Sequence, residues 1–215
     1  MKCLQSSLLL FSFVLAVGWS ANAQENTEWH HYNFNFGGGF TPTVGADSSR
    51  LNTGWNFVAG GGYNFTRAVG VVGEYMVNQM GVGNGVLQQL SVPGGSGTIW
   101  SLTANPTIRF NPSGRFGGYL IGGGGLYTRT IQFTRPTTAA VNFFDPWFGF
   151  GTAFVPADQV IGSFTRHAPG WNAGGGLTFG IGRTGAKIYT EARYHWAGTT
   201  GRPIQIVPVT FGVRW

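Results

Sequence analysis

The sequence is short of charge, almost free of cysteine, and has no run after its amino terminus that could cross a bilayer as a helix. Only 9% of its residues are charged, against roughly 25% in ordinary globular domains, too few for a conventional water-facing surface. The single cysteine, Cys3, precedes the first apolar stretch. It is therefore no lipobox cysteine and leaves with the leader, so disulfide and thiol chemistry are excluded. No segment beyond residue 23 is a continuous apolar 18-mer, which excludes a transmembrane helix. The basic residues are scattered singly, so the formal charge of +6 makes no Lys/Arg stripe. Nucleic-acid binding is excluded for an exported chain of this kind. With no H-E-x-x-H pattern and no cysteine cluster, neither a metal nor a cofactor is expected.

What is present starts with a leader. Lys2, the apolar stretch from Leu8 to Val17 and the small-x-small triplet Ala21-Asn22-Ala23 form a secretory signal peptide. Residues 1–23 are expected to be cleaved, leaving 24–215 as one domain with a net charge of +5 once Lys2 is gone. Aromatics reach 15%, with 8 Trp, and glycine reaches 37 residues. Few charges, many aromatics and no spanning helix suit a closed barrel in lipid. Such a barrel pairs every backbone group between strands and leaves half its side chains free to be polar.

Period-two alternation predicts eight strands, near 29–40, 54–65, 69–78, 98–110, 116–127, 170–181, 186–197 and 205–215. The connections at 66–68, 111–115 and 182–185 are short and rich in turn formers. Those at 41–53, 79–97, 128–169 and 198–204 are longer. Strict alternation of short and long is the asymmetry of outer-membrane barrels, with short periplasmic turns and longer external loops. The fold class expected is all-β, an eight-stranded antiparallel up-and-down transmembrane β-barrel.

Two further patterns agree. Trp55 and Phe65 are ten positions apart, as are Trp100 and Phe110, and Trp171 is followed by Phe179. Ten residues at roughly 3.3 Å, tilted by about 40°, rise about 25 Å, the height between two aromatic girdles. Trp196 belongs to the same outward phase. With that phase facing lipid, Glu74, Arg109, Lys187, Glu191, Arg193 and His195 face the lumen, where the first five are expected to form an ion-pair network. Glycine runs at 37–39, 60–62, 122–125 and 174–176 fall at strand middles, giving curvature and room for bulky lumen side chains. Pro106 and Pro208 each remove a ladder donor, and a bulge or strand end is expected near them.

Other motifs carry less. Gly180-Ile181-Gly182-Arg183-Thr184-Gly185 matches G-x-G-x-x-G, but an alternating strand follows instead of a helix, so it is a hairpin turn. His30 and His31 are adjacent and point to opposite faces of a strand, which argues against a joint metal site. Ser163 and His167 are expected in a loop. The segment from Asn142 to Phe154 lies in the longest connection, and its Phe143, Phe144, Trp147, Phe148 and Phe150 form a candidate interaction site. Three outcomes are open for it: a binding loop, a cover over the barrel mouth, or an extension of strands five and six beyond the membrane.

The signal peptide, the repeated aromatic-x-Gly strands, Glu74 after Gly70-Val71-Val72-Gly73, and the ending Pro208-Val209-Thr210-Phe211-Gly212-Val213-Arg214-Trp215 together resemble the small outer-membrane β-barrel domain family, which includes OmpA-like and opacity-type porin-like barrels. The resemblance covers essentially the whole mature chain, and the combination carries it rather than any single motif. It implies a salt-bridged lumen plug, and it implies that Phe211 and Trp215 are the signal read by the barrel-assembly machinery. It also implies residence in the outer membrane of a diderm bacterium, contact with outer-membrane lipids, and a monomer. The peptidoglycan-binding domain of some relatives is not expected. The leading expectation is a non-enzymatic barrel acting structurally or through its external loops. The alternatives are a narrow route for small hydrophobic molecules and a lipid-modifying enzyme, although the His-x-Ser pattern of the lipid A deacylases is missing.

Overall fold

A computed structural model describes residues 30–45, 48, 50–181, 185–198 and 203–215. The signal peptide and the centre of the G-x-G-x-x-G turn lie outside the described residues. The chain runs through β1 (Tyr32–Thr41), β2 (Gly54–Asn64), β3 (Val69–Gly81), a short helix α1 (Asn84–Gln89), β4 (Gly94–Phe110), β5 (Phe116–Asp145), β6 (Gly149–Gly180), β7 (Lys187–Ala197), β8 (Ile204–Ile206) and β9 (Val209–Arg214). Each strand pairs antiparallel with its sequence neighbour. The ring closes where β9 pairs with β1, from Asn35↔Arg214 to Phe40↔Val209, and with β7 on its other side. Segments β8 and β9 are two halves of one strand, so the barrel has eight staves.

The break between those halves follows from Pro208, which has no N–H to give. Its carbonyl still accepts from Arg193 N (3.2 Å), while Val207 N turns to Pro42 O (3.1 Å). Pro106 is absorbed differently. The β4–β5 pairing skips Asn105 and Pro106 and resumes in the same register, so the strand has a gap in its ladder where a bulge was expected.

The alternation read from sequence is the alternation observed. Asn33, Asn35, Asn56, Glu74, Asn105, Asn172, Glu191 and Arg193 are buried in the lumen, while their strand neighbours Phe34, Phe57, Tyr75, Leu102, Leu126, Leu177 and Ile188 are exposed on the outside. A sheet with its polar residues inside and its apolar residues outside is inverted relative to a water-soluble fold, and only lipid makes that order favourable.

Of the three outcomes open for the long connection 128–169, the structure shows the extension of strands five and six, so the segment is not a loop. Strands β5 and β6 continue without interruption to Asp145 and from Gly149, with one register shift at Phe133/Thr134. The reason is local. From Thr128 to Val141 five of the residues are Thr, with Ile131, Phe133 and Val141 among the rest, and the turn is made at Asp145. Its Oδ1 accepts from Trp147 N (2.8 Å) and Phe148 N (3.0 Å), closing a tight turn. Gly149 completes it at φ +80°, where a side chain would be strained. Strand β4 begins at Gly94, opposite Thr134, so beyond that level β5 and β6 form a free two-stranded ribbon. From Arg135 to Asp145, at roughly 3.3 Å per residue, the ribbon is about 35 Å long, measured along its own axis from the end of its pairing with β4. Ser163 and His167 therefore lie in β6, with His167 Nδ1 2.7 Å from Thr128 Oγ1.

Candidate functional site: a filled lumen and a projecting hairpin

The lumen is filled in three layers. Toward the long connections, Leu51, Met80, Val82, Ile99, Tyr127, Ala168, Ala197, Ile204 and Ile206 form an apolar plug, with Val86 and Leu87 of α1 packed against it. Tyr127 joins this layer to the polar one, its hydroxyl 3.0 Å from His195 Nδ1. Among the described residues, Tyr127 is the hydrogen-bonding neighbour of that imidazole.

The middle layer is an ion triad. Residues 191 and 193 of β7 share a face because strand side chains alternate, and β3 presents Glu74 across the lumen. Arg193 Nη1 lies 2.5 Å from Glu74 Oε2, and its Nε bonds Glu191 Oε1. The carboxylates have further donors. Glu74 accepts from Asn35 Nδ2 (2.7 Å) and Asn105 Nδ2 (2.6 Å), and Glu191 Oε2 accepts from Tyr119 Oη (2.7 Å). Asn172 extends the web by donating to Asn105 Oδ1 (2.9 Å). Glu74, Glu191 and Arg193 are 1%, 3% and 2% exposed. All three charged side chains are thus closed off from water.

Glycine makes that density possible. A Cβ on Gly174 would lie 2.7 Å from Arg193 Cγ, and one on Gly176 would lie 2.6 Å from Tyr119 Cζ. Both distances are shorter than real contacts, so β6 has glycine where the large lumen side chains cross it.

The third layer, toward the short turns, departs from expectation. Arg109 and Lys187 face inward but do not join the ion-pair network. Arg109 donates to Asn64 Oδ1, and Lys187 Nζ donates to the carbonyls of Pro112 (2.6 Å) and Gly114 (3.2 Å). The cause is height. Both stand at the short-turn ends of their strands, well below Glu74 and Glu191, and neutral acceptors are what they find there. Arg214 is the lumen cation that the sequence reading left out. Its guanidinium stacks on the rings of Tyr119 (4.2 Å) and Tyr189 (5.2 Å). The signal for it was available, since Arg214 alternates with the outward Phe211, Val213 and Trp215.

On the outer surface, Trp55, Trp100, Trp171 and Trp196 lie toward the long connections, and Phe65, Phe110 and Phe179 toward the short turns. Trp171 and Trp196 face each other across the β6–β7 ladder with ring centroids 6.5 Å apart. Phe211 and Trp215 are on the same outer face, Trp215 edge-on to Phe36 at 6.4 Å. At the far end, Phe143, Phe144, Trp147, Phe148 and Phe150 cluster at the ribbon tip, with Trp147 and Phe148 exposed by 85% and 90%. Among the described residues, no group of His, Cys, Asp or Glu is placed to hold a metal ion.

Neither the protein-family models nor the curated proteins give a match to this sequence. Solved structures do. One is Ail, the attachment invasion locus protein of Yersinia pestis, in complex with the heparin analogue sucrose octasulfate. It is 18% identical over 86% of this chain and 100% of its own, with a TM-score of 0.52. Another is Neisserial surface protein A, 12% identical over 86% of this chain and 96% of its own, with a TM-score of 0.56. At these identities the likeness is one of fold, and the fold is that of the small eight-stranded outer-membrane β-barrels of the OmpA-like type.

Proposed function

We propose that this protein is an integral outer-membrane barrel of a diderm bacterium, exported by its signal peptide and without enzymatic activity, that acts outside the membrane through its β5–β6 hairpin. The observation that carries this reading is a pairing of opposites: a lumen packed with buried side chains beneath a ribbon whose tip leaves large aromatics in water. Contiguous exposed apolar surface is costly in a monomer and marks interaction sites. Tip side chains make few contacts within the fold, so the barrel does not need them for its stability. The partner surface is expected to be apolar, since Trp147, Phe148, Phe150 and Phe154 dominate the tip.

Against the transport alternative stand the buried Glu74–Arg193–Glu191 triad and the apolar plug above it, which fill the lumen at two levels. An envelope enzyme would need a nucleophile beside His195, and its hydrogen-bonding neighbour is Tyr127. The test has two arms. The refolded protein in a planar bilayer should give no conductance steps, and regular steps would return the pore reading. The variant carrying Trp147→Ser, Phe148→Ser and Phe150→Ser should fold like the parent but lose cell-surface adhesion to hydrophobic beads. Unchanged adhesion would remove the hairpin from the function.

A further inference from the structure

The third layer of the lumen surrounds a cavity of about 400 Å³ at the short-turn end of the barrel. Arg67, Arg109, Lys187 and Arg214 line it together with His30, and among the described residues that line it there is no acidic side chain, Trp215 being the last residue at its edge. Among the described residues, no carboxylate pairs with Arg109, Lys187 or Arg214. The two lumen carboxylates, Glu74 and Glu191, are taken by Arg193 in the layer above. Arg214 is only 9% exposed, and its Nη1 is buried with no hydrogen-bond partner. A buried guanidinium normally has its donors filled, because a desolvated donor without an acceptor is unfavourable. Here the two tyrosine rings hold the guanidinium plane in place while leaving hydrogen-bonding capacity unused.

We infer that this cavity is an anion site that takes a phosphate group through Arg214, Arg109 and Lys187. A cleft whose side-chain charges are mostly of one sign, with low-dielectric walls, focuses its field on the space it encloses, and the barrel wall around this cleft faces lipid. Arginine presents a planar fork that matches phosphate oxygens, and lysine adds a point charge. Arg109 and Lys187 are already oriented by Asn64 and by the 111–115 turn, so little ordering is needed when the anion enters. Tyr119 links the site to the layer above, because the ring beneath Arg214 also carries the hydroxyl that holds Glu191. The same chemistry is offered by a small phosphorylated solute of the periplasm and by the headgroup of an anionic phospholipid.

The full mature chain, refolded in a zwitterionic detergent, is titrated with pyrophosphate by calorimetry. In parallel it is reconstituted into vesicles of phosphatidylcholine with or without phosphatidylglycerol, and retained lipid is measured after delipidation. Saturable, salt-sensitive pyrophosphate binding is expected, weakened at least tenfold in Arg214→Gln and unchanged in Arg129→Gln at the opposite end. Binding of pyrophosphate identifies a free solute as the source. Retention of phosphatidylglycerol alone, lost in Arg214→Gln, identifies the headgroup, and either result supports the site. If Arg214→Gln does not fold, Lys187→Gln, which removes a half-exposed side chain, provides the same comparison. Absence of both bindings, or equal binding by the parent and both variants, overturns the site.

Discussion

Replacing Arg193 by methionine should be the most damaging conservative change in the lumen. Arg193 is the single cation shared by two carboxylates, and it spans the barrel from β7 to β3. Removing one partner of a buried ion pair costs roughly 3–5 kcal/mol, because the remaining charge stays buried. Here two charges are orphaned, but each keeps neutral donors: Asn35 and Asn105 at Glu74, Tyr119 at Glu191. Those donors offset part of the loss, so we expect Arg193→Met to lower stability by about 4 kcal/mol. Glu74→Gln keeps the Arg193–Glu191 pair and should cost about 2 kcal/mol, in the range of a lost charge-assisted hydrogen bond. The triple variant Glu74→Gln/Glu191→Gln/Arg193→Met removes the orphaned charges and should recover most of the loss, since replacing a whole buried ion group is often nearly neutral. Urea unfolding in lipid vesicles, followed by tryptophan fluorescence, measures all three. A loss below about 1 kcal/mol for Arg193→Met, or a triple variant no more stable than the single one, would refute an ion triad as the mechanical tie across the lumen.

Other outcomes follow from the same geometry. Gly176→Val should push the Tyr119 ring out of place and cost about 1–3 kcal/mol by overpacking, whereas Gly73→Val on the outer face should be close to neutral; equal losses in the two would show that the lumen is not full. Phe211→Ala and Trp215→Ala place less apolar surface at the seam where β9 closes against β1. They should lower the folded fraction read from heat-dependent gel mobility, and Thr210→Ser, which keeps the hydroxyl that bonds Asn56 (3.0 Å), should not. Parent-like folding of both alanine variants would remove these two side chains from assembly. Deleting the ribbon from Arg135 to Gln159 and closing it with a Gly-containing turn should leave urea stability within about 0.5 kcal/mol, because that segment pairs only with itself; a larger loss would mean the ribbon folds back on the barrel.

The amino-acid sequence by itself determined the strands, their phase and the direction of the barrel. Period-two alternation is a local property, and each strand here satisfies it without help from its neighbours. Once aromatics such as Trp171 and Trp196 face lipid, Lys187, Glu191, Arg193 and His195 must face the lumen, because a slip of one residue would reverse them all. What the sequence could not determine was height. Glu74 and Arg109 both face inward from other strands, yet only Glu74 stands level with Arg193, since the stagger between strands around the ring sets which inward residues meet. That stagger is fixed by ring closure, through pairings such as Asn35↔Arg214 between residues at opposite ends of the chain. The hairpin was hidden for a related reason. From Arg135 to Gln159 no third strand gives the two faces different surroundings, so composition left a loop and a strand extension both open. Only the mutual pairing of β5 and β6 turns that segment into a ribbon. Arg214 lay in plain view of the alternation, and only the meeting of β5, β7 and β9 showed that two tyrosines would hold it in the cavity.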